Sequence, residues 1–133
     1  MIEANKDQVF FSDFTRGFLA HPDSRQLVRN TNETAVTQSI RNLILTNKYE
    51  RLGRPEIGSN VRNILFELAS PQTESALRSA IRTTLEKHEP RAKIIDVVVS
   101  SIADRNAYSV TIIYTIVSSP NPVTVTIPLQ RTR

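Results

Sequence analysis

His88-Glu89-Pro90-Arg91-Ala92 is the point at which the hydrophobic period of this chain changes from helical to extended. Upstream, Ser70 to Arg91 reads as one amphipathic helix with Leu77, Ile81 and Leu85 on its buried stripe, and with Ala80 and Thr84 allowing close approach. Its start has Ser70 as cap, Pro71 at the first helical position and Glu74 near the positive end of the dipole. Pro90 has no backbone donor and its ring pushes Glu89 out of the helical region, so the helix must break there. An acid and a guanidinium are thereby held at a corner, placed to meet a partner.

Downstream of the corner the period is two. Ile95, Val97 and Val99 share one face of a first strand, and Val110, Ile112, Tyr114 and Ile116 share one face of a second, with Asp104-Arg105-Asn106 as the turn between them. After Ser118 to Pro122, Val123 to Leu129 alternates strictly as a third strand. Pro128 cannot donate to a ladder, which assigns that strand to an edge.

Ahead of the long helix, Thr31 or Asn32 caps a first helix carrying Val36, Ile40, Leu43 and Ile44, which should end near Asn47 in a left-handed cap. Gly53, Pro55 and Gly58 turn the backbone tightly around Arg54-Pro55-Glu56. Ser59 or Asn60 then caps a short second helix with Val61, Ile64, Leu65 and Leu68 on one face. Helices followed by an antiparallel meander imply an α+β fold, three N-terminal helices packed on one face of a small sheet. The expected layout is a single domain over residues 1–133, with an arm at 1–30, helices at 31–89 and sheet at 92–130. Four of the five Phe (Phe10, Phe11, Phe14 and Phe18) fall in the arm, which either folds back on its own core or docks on a neighbour.

The 133 residues suit one core, and the absence of cysteine removes disulfides and thiolate metal sites. Met1 to Asp7 is charged with both signs and opens no signal-length apolar run, so cytoplasmic synthesis is the expectation. Residues 106–130 carry no charge, but their Thr-rich alternation and three prolines are unlike a membrane helix. The net charge of +4 is spread evenly, nine bases against seven acids in residues 1–66 and eight against six in 67–133, so no nucleic-acid face is indicated. Of 17 bases 13 are Arg, the cation enriched at protein interfaces; codon bias explains the count equally well. The uncharged stretch leaves a sheet edge with few defences, which fits addition of a strand from another chain along Val123, Val125 and Ile127; Pro128 and the arm could instead cover it.

Catalysis finds little support. Two histidines, His21 and His88, stand without a nucleophile motif, and His88 lacks a second histidine at helical spacing for a metal. Three glycines cannot build a phosphate-cradling loop, and no cofactor is implied. A glycosidase would need two carboxylates, Glu56 and Glu89 being the candidates. Each has an arginine two residues away, Arg54 and Arg91, which suits an ion pair better than a proton donor.

The ordered set Thr31-Asn32-Glu33, Ser39-Ile40-Arg41-Asn42-Leu43-Ile44-Leu45-Thr46, Glu50-Arg51, Arg54-Pro55-Glu56-Ile57-Gly58-Ser59, Leu65-Phe66-Glu67 and Glu89-Pro90-Arg91 resembles the baseplate wedge subunit of contractile phage tails. Relatives of that family serve contractile bacteriocins and type VI secretion baseplates. The resemblance covers about residues 28–117; the glycine-cysteine variant common after the Pro-acid-aromatic-Gly turn is missing, and this chain has Ile57 and Gly58-Ser59 there. It implies a structural protein, one copy in each wedge of a hexameric baseplate, bound to other wedge proteins and offering the platform for the first ring of sheath protein. It implies assembly in the host cytoplasm and residence in the tail baseplate or on the cytoplasmic face of a secretion baseplate. By the same resemblance Glu89, Pro90 and Arg91 hold the wedge core together; Arg54, Pro55 and Glu56 are the further candidate partner contacts. Charge reversal at Arg91 is then expected to abolish assembly and leave the monomer folded. Some family members carry a lysozyme label, which makes a small peptidoglycan-degrading muramidase the alternative function.

Overall fold

The computed structural model describes residues 12–14, 22, 25 and 29–131. Its elements run β1 (Ser12–Phe14), β2 (Arg29–Thr31), α1 (Asn32–Leu45), α2 (Val61–Leu65), α3 (Pro71–His88), β3 (Ala92–Ile102), β4 (Ala107–Ile116) and β5 (Ser119–Gln130). The fold is α+β, with three helices ahead of a three-stranded antiparallel sheet in the order β3-β4-β5. A short ladder of β1 with β2 leads into α1, an element that the sequence pattern does not announce. Of the clustered phenylalanines only Phe14 lies among the described residues.

One apolar cluster joins helices and sheet. Leu77, Ile81 and Leu85 of α3 are fully buried, as are Val36 and Ile40 of α1, and beneath them lie Val110, Ile112, Tyr114 and Ile116 of β4. Each such side chain removed from water contributes about 1.5–3 kcal/mol, so these stripes hold the helices to the sheet. The start of α3 is as expected: the Ser70 hydroxyl accepts the Thr73 N–H at 3.2 Å and Pro71 fills the first turn. The β3–β4 link is a 3-10 turn at Ala103–Arg105, closed by Asn106 in the left-handed region at φ 46°.

Four local expectations are corrected. Ile94, not Ile95, enters the core: the ladder steps from Ile94↔Tyr114 to Asp96↔Ile113, leaving Ile95 as an extra, half-exposed residue. This β-bulge switches the face of the strand, and a sequence with apolar residues at both parities cannot reveal it. At the end of α1, Asn47 takes no left-handed cap; it forms a parallel bridge with Ser59, and the left-handed residue is Tyr49 at φ 69°. Neither candidate cap binds α2 through its side chain: Asn60 makes no cap bond, and the buried Ser59 hydroxyl donates to the Ile44 carbonyl at 2.7 Å. Leu68 misses the helical face, because Phe66 and Glu67 donate to Asn63 and Ile64 in a tightened turn that leaves Leu68 exposed.

Candidate functional site

Glu89 ends α3 with φ −125° and ψ 75°, its N–H still bonded to the Leu85 carbonyl at 2.9 Å. The backbone therefore leaves the helix one residue before the proline, as the ring of Pro90 demands. The side chain turns inward. Glu89 is only 2% exposed, and Arg91 forks onto it, Nε to Oε1 at 2.7 Å and Nη2 to Oε2 at 3.0 Å. The Ser39 hydroxyl of α1 also donates to Oε2. Main-chain bonds from Ala92 to Glu89 and from Val117 to the Arg91 carbonyl at 3.1 Å fasten the corner to both ends of the first hairpin. Planar fork against carboxylate is the geometry in which a desolvated ion pair is best satisfied. The Glu89 bond raises the Arg91 pKa above its ordinary value, against the lowering effect of burial, and the charge of Asp13 in β1 adds to the rise.

Beside the corner a second polar link crosses the core. Tyr114 is fully buried and its hydroxyl lies 2.6 Å from the Thr37 hydroxyl, which donates onward to the Glu33 carbonyl at 2.7 Å. Burial pushes the Tyr114 phenol up, with the Thr37 bond opposing. Ser39 and Thr37 thus tie α1 to the corner and to the sheet. The sequence gives no periodic signal for either, because each is a small polar residue in a helix whose apolar stripe is elsewhere.

Arg54, Pro55 and Glu56 are all exposed, in the loop between α1 and α2. Among the described residues neither charge makes an ion pair there. The loop is fixed by its base: Ser59 N–H bonds the Thr46 carbonyl at 2.8 Å, Tyr49 N–H the Pro55 carbonyl at 2.8 Å, and the Glu50 carboxylate accepts the Asn47 N–H at 2.9 Å. Gly58, buried at φ 133°, makes the close crossing possible, since a Cβ there would lie 2.8 Å from the Asn47 and Thr46 carbonyls.

The third predicted surface is the edge, and β5 is an edge strand. Val125 and Ile127 are buried and Val123 is partly so, hence these side chains belong to the core. Pro122 lies opposite Thr115 and Pro128 opposite Ser109. A proline nitrogen turned toward β4 would leave the ladder short of a bond, so both point away. By alternation the main-chain groups of Thr124 and Thr126 also face the outer edge, away from β4. The Thr111 and Thr126 hydroxyls approach to 3.4 Å, the close pairing found where opposed residues exchange no ladder bonds.

A catalytic reading fares poorly on this geometry. Glu56 stands in solvent, and Glu89 lies buried with both carboxylate oxygens occupied by Arg91 and Ser39. No cluster of three His, Cys, Asp or Glu able to hold a metal occurs among the described residues. No helix among them is long and apolar enough to cross a membrane.

The family described as baseplate wedge protein gp25 matches residues 30–121, from β2 through the helices, the loop and the corner to the start of β5. The chain belongs to this family. No curated protein matches the sequence. Among solved structures, a Geobacter sulfurreducens protein provisionally named a tail lysozyme superposes with TM-score 0.68 at 22% identity, over 74% of this chain and 89% of its own. A chain of the anti-feeding prophage baseplate gives 0.64 at 19% identity, over 92% and 87%, and one of the type VI secretion baseplate 0.55 at 17%, over 71% and 91%. At such identities the likeness is one of fold; the family match is what makes this a protein of contractile-tail baseplates.

Proposed function

We propose that the chain is a non-enzymatic building block of the baseplate wedge, one copy per wedge of a hexameric ring, that binds other wedge proteins and starts the sheath. The outer face of the corner, Pro90 and Arg91 held in place by the buried Glu89, and the loop at Arg54, Pro55 and Glu56 serve the wedge contacts. Assembly takes place in the host cytoplasm, ahead of incorporation into a tail or a secretion baseplate. The observation that carries the sheath role is the outer edge of β5, which pairs with no other strand among the described residues: neither β4 nor β5 holds a single charged side chain, the usual guard of an unpaired strand. Pro122 and Pro128 bracket that edge and leave the outward donors of Thr124 and Thr126 between them. A strand from a sheath subunit fits this window by main-chain pairing.

The test removes those donors without touching the β4 ladder. Thr124→Pro with Thr126→Pro should leave baseplates formed and sheaths absent when viewed by electron microscopy; sheaths of normal length on such baseplates would refute strand addition at β5. Proline at Val125 is the poorer probe, because its nitrogen faces β4 and its side chain is buried. The lysozyme name of the Geobacter relative suggests a muramidase instead, which the occupied, buried carboxylate of Glu89 disfavours.

A further inference from the structure

We infer that the loop of residues 46–59, with the groove beside it, is a preorganised knob that enters an apolar depression rimmed by carboxylates on another baseplate protein. The inference rests on the wedge reading above and adds a surface and a partner chemistry to it. Two large apolar side chains stand at this loop with no part in the core: Tyr49 is 82% exposed and Leu52 103%. Loose exposed loops often carry such residues, but this loop is not loose. Its base is crossed by the Asn47 and Ser59 bridge, its middle is closed by the Tyr49 bond to Pro55, and Ile57 donates to the Arg54 carbonyl at 3.3 Å.

Tyr49 pays no packing dividend for its left-handed backbone, a conformation unfavourable for a bulky residue and kept only where surroundings enforce it. At the tip the opposite applies: a Cβ on Gly53 would meet nothing within 4 Å, so the chain beside Leu52 is bare. An ordered base under a bare apolar tip is what binding favours, because little freedom remains to be lost on contact. Tyr and Arg are also the residue types that anchor interfaces most often.

Charge selects the partner. Lys48, Arg51 and Arg54 are exposed around the two apolar residues and outnumber the one exposed acid not engaged by the loop's own backbone, Glu56, while the Glu50 carboxylate is engaged by the Asn47 N–H. Between this loop and α3 runs a groove of about 440 Å³ whose ionisable lining is Lys48, Lys87 and His88, with no acid. A depression with Asp or Glu at its rim matches both the knob and the groove, and a basic surface is repelled.

The experiment replaces Leu52 of the full chain with the photo-crosslinker benzoylphenylalanine and co-expresses it with the baseplate proteins encoded beside it. The expected result is a light-dependent adduct to one other baseplate protein, on a peptide rich in Asp or Glu. Tyr49→Ala with Leu52→Ala should weaken binding to that protein roughly tenfold or more, with an unchanged melting temperature. An adduct only to a second copy of this chain or to nucleic acid would overturn the assignment, as would binding by the double variant equal to the unaltered protein. If the unaltered chain itself fails to enter baseplates, the wedge reading falls and the knob with it. If it enters and the double variant does so equally well, the knob alone falls.

Discussion

Arg54-Pro55-Glu56 and Glu89-Pro90-Arg91 hold the same three residue types in opposite order, and the fold uses them in opposite ways. Around Pro55 both charges stand in solvent on a loop whose shape is set elsewhere, by Gly58 and the bonds at its base. Around Pro90 the same charges clasp each other, with the acid 2% exposed beneath the arginine and a hydroxyl from α1 on its second oxygen. What separates them is what lies overhead. Pro90 sits where α3 gives way to β3, and α1 reaches that point through Ser39; Pro55 is exposed, with no described residue covering it. A proline flanked by opposite charges is therefore a clamp or a display according to the helix above it.

The comparison breaks most visibly at Arg91. Arg91→Glu would leave the buried Glu89 carboxylate facing a second negative charge in place of its fork. Loss of one partner of such a pair costs about 3–5 kcal/mol, so the monomer itself should melt roughly 10 °C or more lower. Circular dichroism melts of the purified variant check this. A melting temperature like that of the parent protein would mean that the pair is no clamp, and would return the residue to a pure surface role. The expectation that charge reversal spares the monomer is revised on these grounds: a failure of assembly in this variant would report folding as much as contact.

At the other triplet the claim is that the base of the loop, not its charges, sets its shape. Gly58→Ala should cost about 3 kcal/mol, combining a φ of 133° with a contact of 2.8 Å to main-chain atoms that cannot move aside. Gly53→Ala, at φ 84° in open space, should cost only about 1 kcal/mol. Urea midpoints for the two variants give the order directly. Equal losses would show that the crossing at Asn47 relaxes and that the loop is softer than its bonds suggest.

The helices and the sheet are legible in the residues because their stripes are long and amphipathic. Val36 to Ile44, Leu77 to Leu85 and Val110 to Ile116 each repeat at one period, and burial follows that period. Where period is ambiguous the reading slips. Ile94-Ile95 and Val97-Val98-Val99 offer apolar residues to both faces, so a one-residue bulge decides the register and leaves no local trace. The corner is legible as a break, since Pro90 dictates it. Its burial is not, because Ser39 lies 50 positions away and only the packing of α1 brings it to Glu89. The edge strand is legible from Pro128, yet which of its residues face outward follows from register against β4 and not from composition.

The smallest effect on stability is expected where the sequence places the same chemistry as at the corner. Arg54→Ala with Glu56→Ala removes two exposed charges that make no ion pair with each other or with other described residues. Changes of that kind shift stability by no more than about 0.5 kcal/mol, roughly a tenth of the loss expected at Arg91. The melt should thus overlay that of the parent protein, while co-purification with the neighbouring baseplate proteins should fall, since these charges are free to meet a partner. The two readouts divide the possibilities. A lowered melt would show that the loop does lean on its charges and that the two triplets differ less than their burial implies. An unchanged melt with unchanged co-purification would leave Arg54 and Glu56 as solvated charges without a contact role, and the wedge surface would then narrow to the corner, the knob residues Tyr49 and Leu52, and the edge of β5.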